Sequence, residues 1–292
     1  MELIEILNKF DKSKIKVGDG RKDGIYPLYT CSPKVNKFLD NYLYDTEAII
    51  LSTGGNPVIN YHKGKFSYSS DCLVVQSNGK FENKYIYYYL ISKTNEIAKM
   101  FRGAGLKHLN KKEFFKMNIE LMNIEEQKKI IKELDLINKL MDYKRKQIKL
   151  FDDFIKSQFV EMFGNPIIND KKFEFKQIGE VTKIVTGTTP DTNDIENWNG
   201  RINWITPAEI KDDTLYVYET QRKISEKGQK SKSLTLMPKG TVIFSTRAPI
   251  GKTAIAGNEM CCNQGFKNCI CSININNIYL YYVLKNNKIY FN

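Results

Sequence analysis

Apolar residues recur through the middle of the chain with the period of a helical seam. Leu134, Met141, Ile148, Ile155 and Met162 lie seven residues apart, and Ile137 and Phe151 form a companion row broken by Lys144 and Gln158. This pattern predicts one helix over residues 123–163. Asn123 can cap its start, with Glu126 placed to answer in a capping box. Gly164 and Pro166 mark its end. At 1.5 Å per residue such a helix runs about 60 Å, which suits a spacer better than a helix within one bundle. The seven-residue period also calls for a partner helix along the seam.

The flanks of this helix repeat one another. Ile49-Ile50-Leu51-Ser52-Thr53 aligns with Val242-Ile243-Phe244-Ser245-Thr246 at an offset of 193, and Gly64 falls on Gly257 at the same offset. Tyr85-Ile86-Tyr87-Tyr88-Tyr89-Leu90 aligns with Tyr279-Leu280-Tyr281-Tyr282-Val283-Leu284 at 194. Three matches in order indicate duplication. The β-branched runs Thr241-Val242-Ile243-Phe244 and Asp71-Cys72-Leu73-Val74-Val75, bounded by turn formers, predict strands. The Tyr-rich segments predict amphipathic helices closing each unit. The expected fold is α+β: a mostly-β unit over 1–122, a spacer helix over 123–163, and a second mostly-β unit over 164–292.

Charge follows the same division. The formal net charge is +12. The first unit carries 19 basic and 13 acidic residues, the helix nine and eight, and the second unit 17 and 12, for excesses of +6, +1 and +5. Two basic modules on a nearly neutral rod point to a polyanion, nucleic acid first. No apolar run approaches the roughly 18 residues of a membrane span. The first residues lack a secretion signal, so the six cysteines read as reduced cytoplasmic thiols.

Catalytic signatures are poor. Gly251-Lys252-Thr253 resembles the end of a phosphate-binding loop, but Thr246 stands where its first glycine belongs. There is no Gly-x-Ser-x-Gly elbow and no His-Glu-x-x-His helix. Glu174-Phe175-Lys176 lacks the upstream Pro-Asp of a nuclease motif, and Asn165-Pro166-Ile167 is not a base-methylation motif. Cys261 and Cys262 are adjacent, so in a strand they face opposite ways, which argues against a zinc site with Cys269 and Cys271.

Gly187-Thr188-Thr189-Pro190, Ile202-Asn203-Trp204-Ile205, the run from Pro238 through Ser245-Thr246-Arg247-Ala248-Pro249-Ile250-Gly251, and Asn263-Gln264-Gly265-Phe266 together resemble a target recognition domain. Tyr26-Pro27-Leu28-Tyr29, Gly103-Ala104-Gly105-Leu106-Lys107-His108-Leu109 and Ile124-Glu125-Glu126-Gln127 resemble the same family. It is the specificity (S) subunit of type I restriction-modification systems. The resemblance implies two recognition domains, each reading half of a bipartite site in double-stranded DNA. It further implies a chain that is not an enzyme. Its partners would be methyltransferase (M) subunits, which use S-adenosylmethionine, and through them a restriction (R) subunit. Against the family pattern, the second domain reads as truncated and its following helix is missing. Gly18-Asp19-Gly20-Arg21-Lys22-Asp23-Gly24 stands where the first unit would hold a Gly-x-Thr-Pro. A stand-alone DNA-binding or anti-restriction module is the alternative.

Phosphates are held by Lys and Arg, while loop amides, hydroxyls and guanidinium groups read base edges. The candidate loop residues are Arg21, Lys22, Asn56, His62, Lys63, Lys65, Lys107 and His108 in the first unit. In the second they are Thr188, Thr189, Arg201, Lys230, Lys232, Arg247, Asn263, Gln264 and Lys267. Tyr87, Tyr88, Tyr281 and Tyr282 are expected in the core or on helix surfaces. The stripe through Leu134, Ile137, Met141, Ile148, Phe151, Ile155 and Met162 is the expected helix-pairing interface, most simply in a homodimer.

Overall fold

The computed structural model describes residues 1–165 and 168–287. The chain divides into two compact α+β units, Met1–Lys146 and Gln147–Asn292. In the first, β1 (Leu7–Lys9), β2 (Tyr26–Tyr29), β3 (Phe38–Leu39), β4 (Tyr44–Ser52), β5 (Ile59–Tyr68) and β6 (Cys72–Ser77) form one sheet. Its order is β1-β6-β4-β5-β2-β3. Then come α1 (Asn83–Ser92), α2 (Thr94–Lys99), the hairpin β7 (Phe101–Arg102) and β8 (His108–Leu109), and α3 (Lys111–Phe115). Successive side chains of a strand face opposite ways, and β4 uses this to join two cores. Ile49 and Leu51 pack with Ile86 and Leu90 of α1, whereas Ala48 and Ile50 pack with Phe66, Tyr68 and Val74.

The long helix is α4 (Ile124–Phe163), 40 residues. Asn123 caps it, its side-chain oxygen accepting from the Glu126 N–H at 2.9 Å. Gly164 follows in the left-handed region, φ 72°, a conformation that glycine adopts without steric cost. Pro166 lies outside the described residues. Near its start, α4 is tied to α1 by polar bonds. Buried Gln127 accepts from the Glu82 N–H at 2.8 Å. Asp135 accepts from Lys84 at 2.7 Å and from the Tyr88 hydroxyl at 2.5 Å. Along the seam, Ile137, Met141, Ile148, Phe151, Ile155 and Met162 are 42–63% exposed, and Leu134 is half-buried.

The second unit contains α5 (Ile178–Val181), β9 (Thr182–Val185), β10 (Trp198–Ile205), β11 (Tyr216–Val217), β12 (Lys223–Ile224) and α6 (Glu226–Ser231). They are followed by β13 (Val242–Phe244), β14 (Thr253–Ala256), β15 (Met260–Cys262), β16 (Asn268–Cys271) and α7 (Asn277–Asn286). Its main sheet is β9-β16-β13-β14-β11, and a separate small sheet is β12-β10-β15.

Neighbour by neighbour, the two main sheets are built alike. Along β1-β6-β4-β5-β2 the pairings are antiparallel three times and then parallel. Along β9-β16-β13-β14-β11 they are the same. The faces agree as well. Val242 and Phe244 pack with Leu280 and Leu284 of α7, and Ile243 joins the opposite core with Phe266. The sequence repeat is therefore a repeat of fold. Its glycine match is different in kind. Gly64 has φ 112°, while Gly257 is needed for space, since a Cβ there would come within 2.5 Å of the Tyr218 ring.

The cysteine expectations rest on the same alternation. Cys262 and Cys261 enter different cores. Burial pushes their thiols up, to about 12 and about 11. No group of residues able to hold a metal ion is found among the described residues, and no described helix is long and apolar enough to cross a membrane.

Candidate nucleic-acid interface

The same serine-braced loop leaves the central strand of each unit. In the first unit the Ser52 hydroxyl donates to the Asn56 carbonyl at 2.7 Å and accepts from the Val58 N–H at 2.9 Å. In the second the Ser245 hydroxyl donates to the Pro249 carbonyl at 2.7 Å and accepts from the Lys252 N–H at 2.8 Å. The backbone closes both loops alike: Ser52 N–H to Val58 carbonyl and Ser245 N–H to Lys252 carbonyl, each 2.9 Å. Both serines are buried. The next residue ties each loop to a neighbouring turn. Thr53 N–H donates to the Asp71 carbonyl and Thr246 N–H to the Gly265 carbonyl, each at 2.8 Å.

In the first unit this loop meets the tip of the β7–β8 hairpin. Gly55 N–H donates to the Lys107 carbonyl at 2.9 Å and Leu109 N–H to the Thr53 carbonyl at 3.0 Å. Gly54 bridges His108. Asn56, Lys107 and His108 thus share one exposed rim.

The other first-unit candidates lie elsewhere, three of them on a strand rather than in a loop. His62 is on β5, half-buried, its Nδ1 3.0 Å from the Tyr29 hydroxyl. Burial holds its imidazole below the ordinary value. Lys63 pairs with Glu47 at 2.9 Å, and Lys65 lies 4.8 Å over the Tyr42 ring. Arg21 is engaged by Asp40 and, at 3.7 Å, by Asp23, with exposed Lys22 beside it. The strand placement has a simple cause. β5 runs unbroken for ten residues, and Gly64 within it is a strand glycine, not a turn signal.

In the second unit, residues far apart in sequence converge. The Thr189 hydroxyl donates to Gln264 Oε1 at 2.8 Å across 75 positions. The Thr188 carbonyl accepts from the Trp204 indole at 3.2 Å. Asn263 Oδ1 accepts from the Gly265 N–H at 2.9 Å, turning the chain there, as a short amide side chain does. Arg247 N–H donates to the Gly265 carbonyl at 3.3 Å, leaving the side chain exposed. Gly187 makes this convergence possible, since a Cβ would come within 1.8 Å of the Cys262 carbonyl oxygen. Exposed Lys267 follows the same turn. Arg201 on β10, and Lys230 and Lys232 in and after α6, sit on the small sheet and its helix instead of in these loops. Lys230 faces Glu226 at 3.8 Å.

Sequence reasoning named neither the serine braces nor Arg222, whose guanidinium stacks 3.6 Å over Trp198. Ser52-Thr53 and Ser245-Thr246 were in plain view as the two polar members of the repeated run. Polar residues kept at a fixed offset at the end of a buried strand are the signal that marks them.

These features define a duplicated protein that displays one braced polar loop cluster per unit on a repeated framework. The chain belongs to the family described as the type I restriction modification DNA specificity domain, whose model matches residues 1–150 and 170–292. The MjaIX specificity subunit of Methanocaldococcus jannaschii, a type I restriction enzyme component, is 40% identical over 116 residues. That alignment covers 39% of this chain and 27% of the relative. The EcoDI specificity subunit of Escherichia coli is 25% identical over 137 residues, 47% of this chain and 30% of that protein. The chain thus matches about a third or less of the length of these two relatives. The solved type I S subunit from M. genitalium superposes with a TM-score of 0.62 at 12% identity, over 100% of this chain and 77% of that one. That likeness is one of fold.

Proposed function

We propose that the chain reads double-stranded DNA as the specificity subunit of a type I restriction-modification complex, each unit taking one half of a bipartite site. One observation carries this reading: a single framework occurs twice, each copy presenting a braced loop flanked by amide, hydroxyl and cationic side chains. Asn56, Lys107 and His108 serve one half-site; Thr189, Arg247 and Gln264 serve the other. Lysines on the surrounding surface supply affinity for phosphates, and this contribution weakens with salt. The chain itself performs no chemistry. M subunits carrying S-adenosylmethionine methylate the site, and an R subunit acts through them.

Helix α4 sets the distance between half-sites. Its length of about 60 Å is a little under two turns of B-DNA at roughly 34–36 Å each. Deleting seven residues within 134–155 should shorten the preferred spacing and leave both half-sites unchanged; unchanged spacing in a binding-site selection refutes the ruler. The exposed seam on α4 takes the same helix of a second copy, because apolar rows with a seven-residue period pair with their like. Light scattering should give twice the chain mass, and a stable monomer refutes this pairing.

A further inference from the structure

We infer that Ser52 and Ser245 are equivalent positioning residues that hold the reading loops, 53–58 and 246–252, in their DNA-competent shape. The inference rests on the DNA-reading function proposed above.

Each hydroxyl sits at the end of a central strand, is buried, and uses both its donor and its acceptor on the loop that follows. The loop's inward-facing carbonyl and N–H are thereby satisfied inside the protein. A buried polar backbone group left unpaired would otherwise pull the loop toward solvent. The outward side chains are then presented from a fixed backbone. A loop already ordered before binding loses less freedom on contact with its ligand, so more of each contact appears as selectivity.

What the two copies share and what they do not is decisive. The brace, the backbone closure and the threonine tether recur in both units, the closing residue standing six positions after Ser52 and seven after Ser245. The tips do not: Gly54-Gly55-Asn56-Pro57 stands against Arg247-Ala248-Pro249-Ile250-Gly251. Close packing holds the buried anchors, while the exposed tips are free to change. Two readers of different half-sites need that combination.

The test is selection of bound duplexes from a randomised double-stranded DNA library by the full chain, alone and with M subunits. Wild type should enrich a bipartite motif. Ser52→Ala should lower base preference about tenfold, the scale of one lost reading contact, at one half-site only. Ser245→Ala should do so at the other only. Ser52→Thr and Ser245→Thr, which keep the hydroxyl, should restore the preference. Should either alanine variant fail to fold by circular dichroism, Pro57→Gly or Ala248→Gly loosens the same loop without touching the buried hydroxyl or a reading side chain and should blur the same half-site. Preference kept at both half-sites overturns the inference and leaves DNA reading standing. So does equal loss at both half-sites from one substitution. A wild-type chain that enriches no motif under either condition overturns the DNA reading and the inference with it.

Discussion

The two units share their interior and differ in what surrounds it. Five strands occur in the same order and sense, and equivalent residues enter equivalent cores. Around this frame the first unit adds the β7–β8 hairpin and two short helices. The second inserts a three-stranded sheet built on Trp198 and Trp204. The helix that closes each unit is also seated differently. On α1, Lys84 and Tyr88 bind Asp135 of α4 by charge and hydrogen bonds. On α7, Tyr279 and Tyr282, the equivalents of Tyr85 and Tyr88, pack against Phe159 and Phe163 of α4, with ring centroids 5.0–5.9 Å apart. Duplication kept what close packing demands and left free what only solvent or a ligand meets.

If the frames are equivalent, equivalent deletions must cost alike. Ile50 and Ile243 are both fully buried on the face away from the closing helix. Ile50→Ala and Ile243→Ala should each destabilise their own unit by about 3–4 kcal/mol, as buried Ile-to-Ala changes do. Hydrogen exchange read separately on β4 and β13 would measure both. A difference beyond about 2.5 kcal/mol, more than the spread between like core sites, would break the equivalence.

How much of this was legible beforehand follows from the same contrast. Periodicity gave α4 and its cap, because a 40-residue amphipathic pattern is long enough to outweigh local noise. The β-branched runs gave β6 and β13, and the repeated Tyr-rich segments gave α1 and α7, because buried positions leave few residue choices. Sheet order was not legible, since pairing partners such as β5 and β2 are non-local. Nor was the convergence of Thr189 with Gln264, which depends on Gly187 lying against β15. His62, Lys63 and Lys65, expected in a loop, lie on β5 on either side of Gly64. The ten-residue strand absorbs that glycine.

The seats of the closing helices give a second, smaller contrast. Phe159 is buried against Tyr279 and Tyr282. Phe159→Ala should loosen α7 by about 3 kcal/mol and leave exchange in α1 unchanged. Tyr88→Phe removes two hydrogen bonds, one given to Asp135 and one taken from Asn138, and should cost α1 about 1–2 kcal/mol. Equal costs at the two seats would mean that the polar and aromatic contacts are interchangeable, against the structure.

The smallest effect is a pH dependence confined to the first seat. Burial raises the Asp135 carboxyl, but hydrogen bonds from Lys84 and Tyr88, with the Lys84 charge, outweigh it and hold the group below the ordinary carboxylate value. Tyr88 is correspondingly pushed up to about 12, by burial first and then by its bond to Asp135. A carboxyl depressed in the folded state lends stability that is complete above its ordinary value and is lost as pH falls through the depressed one. The Lys84–Asp135 side chains are about a third exposed, so solvent screening keeps the contribution to about 0.5–1 kcal/mol. Between pH 7 and pH 3, α1 should therefore lose exchange protection that α7, seated on rings, retains. Asp135→Asn should abolish that difference by lowering α1 protection at pH 7. An α1 that stays as protected at pH 3 as at neutrality would show that the seat does not depend on this charge.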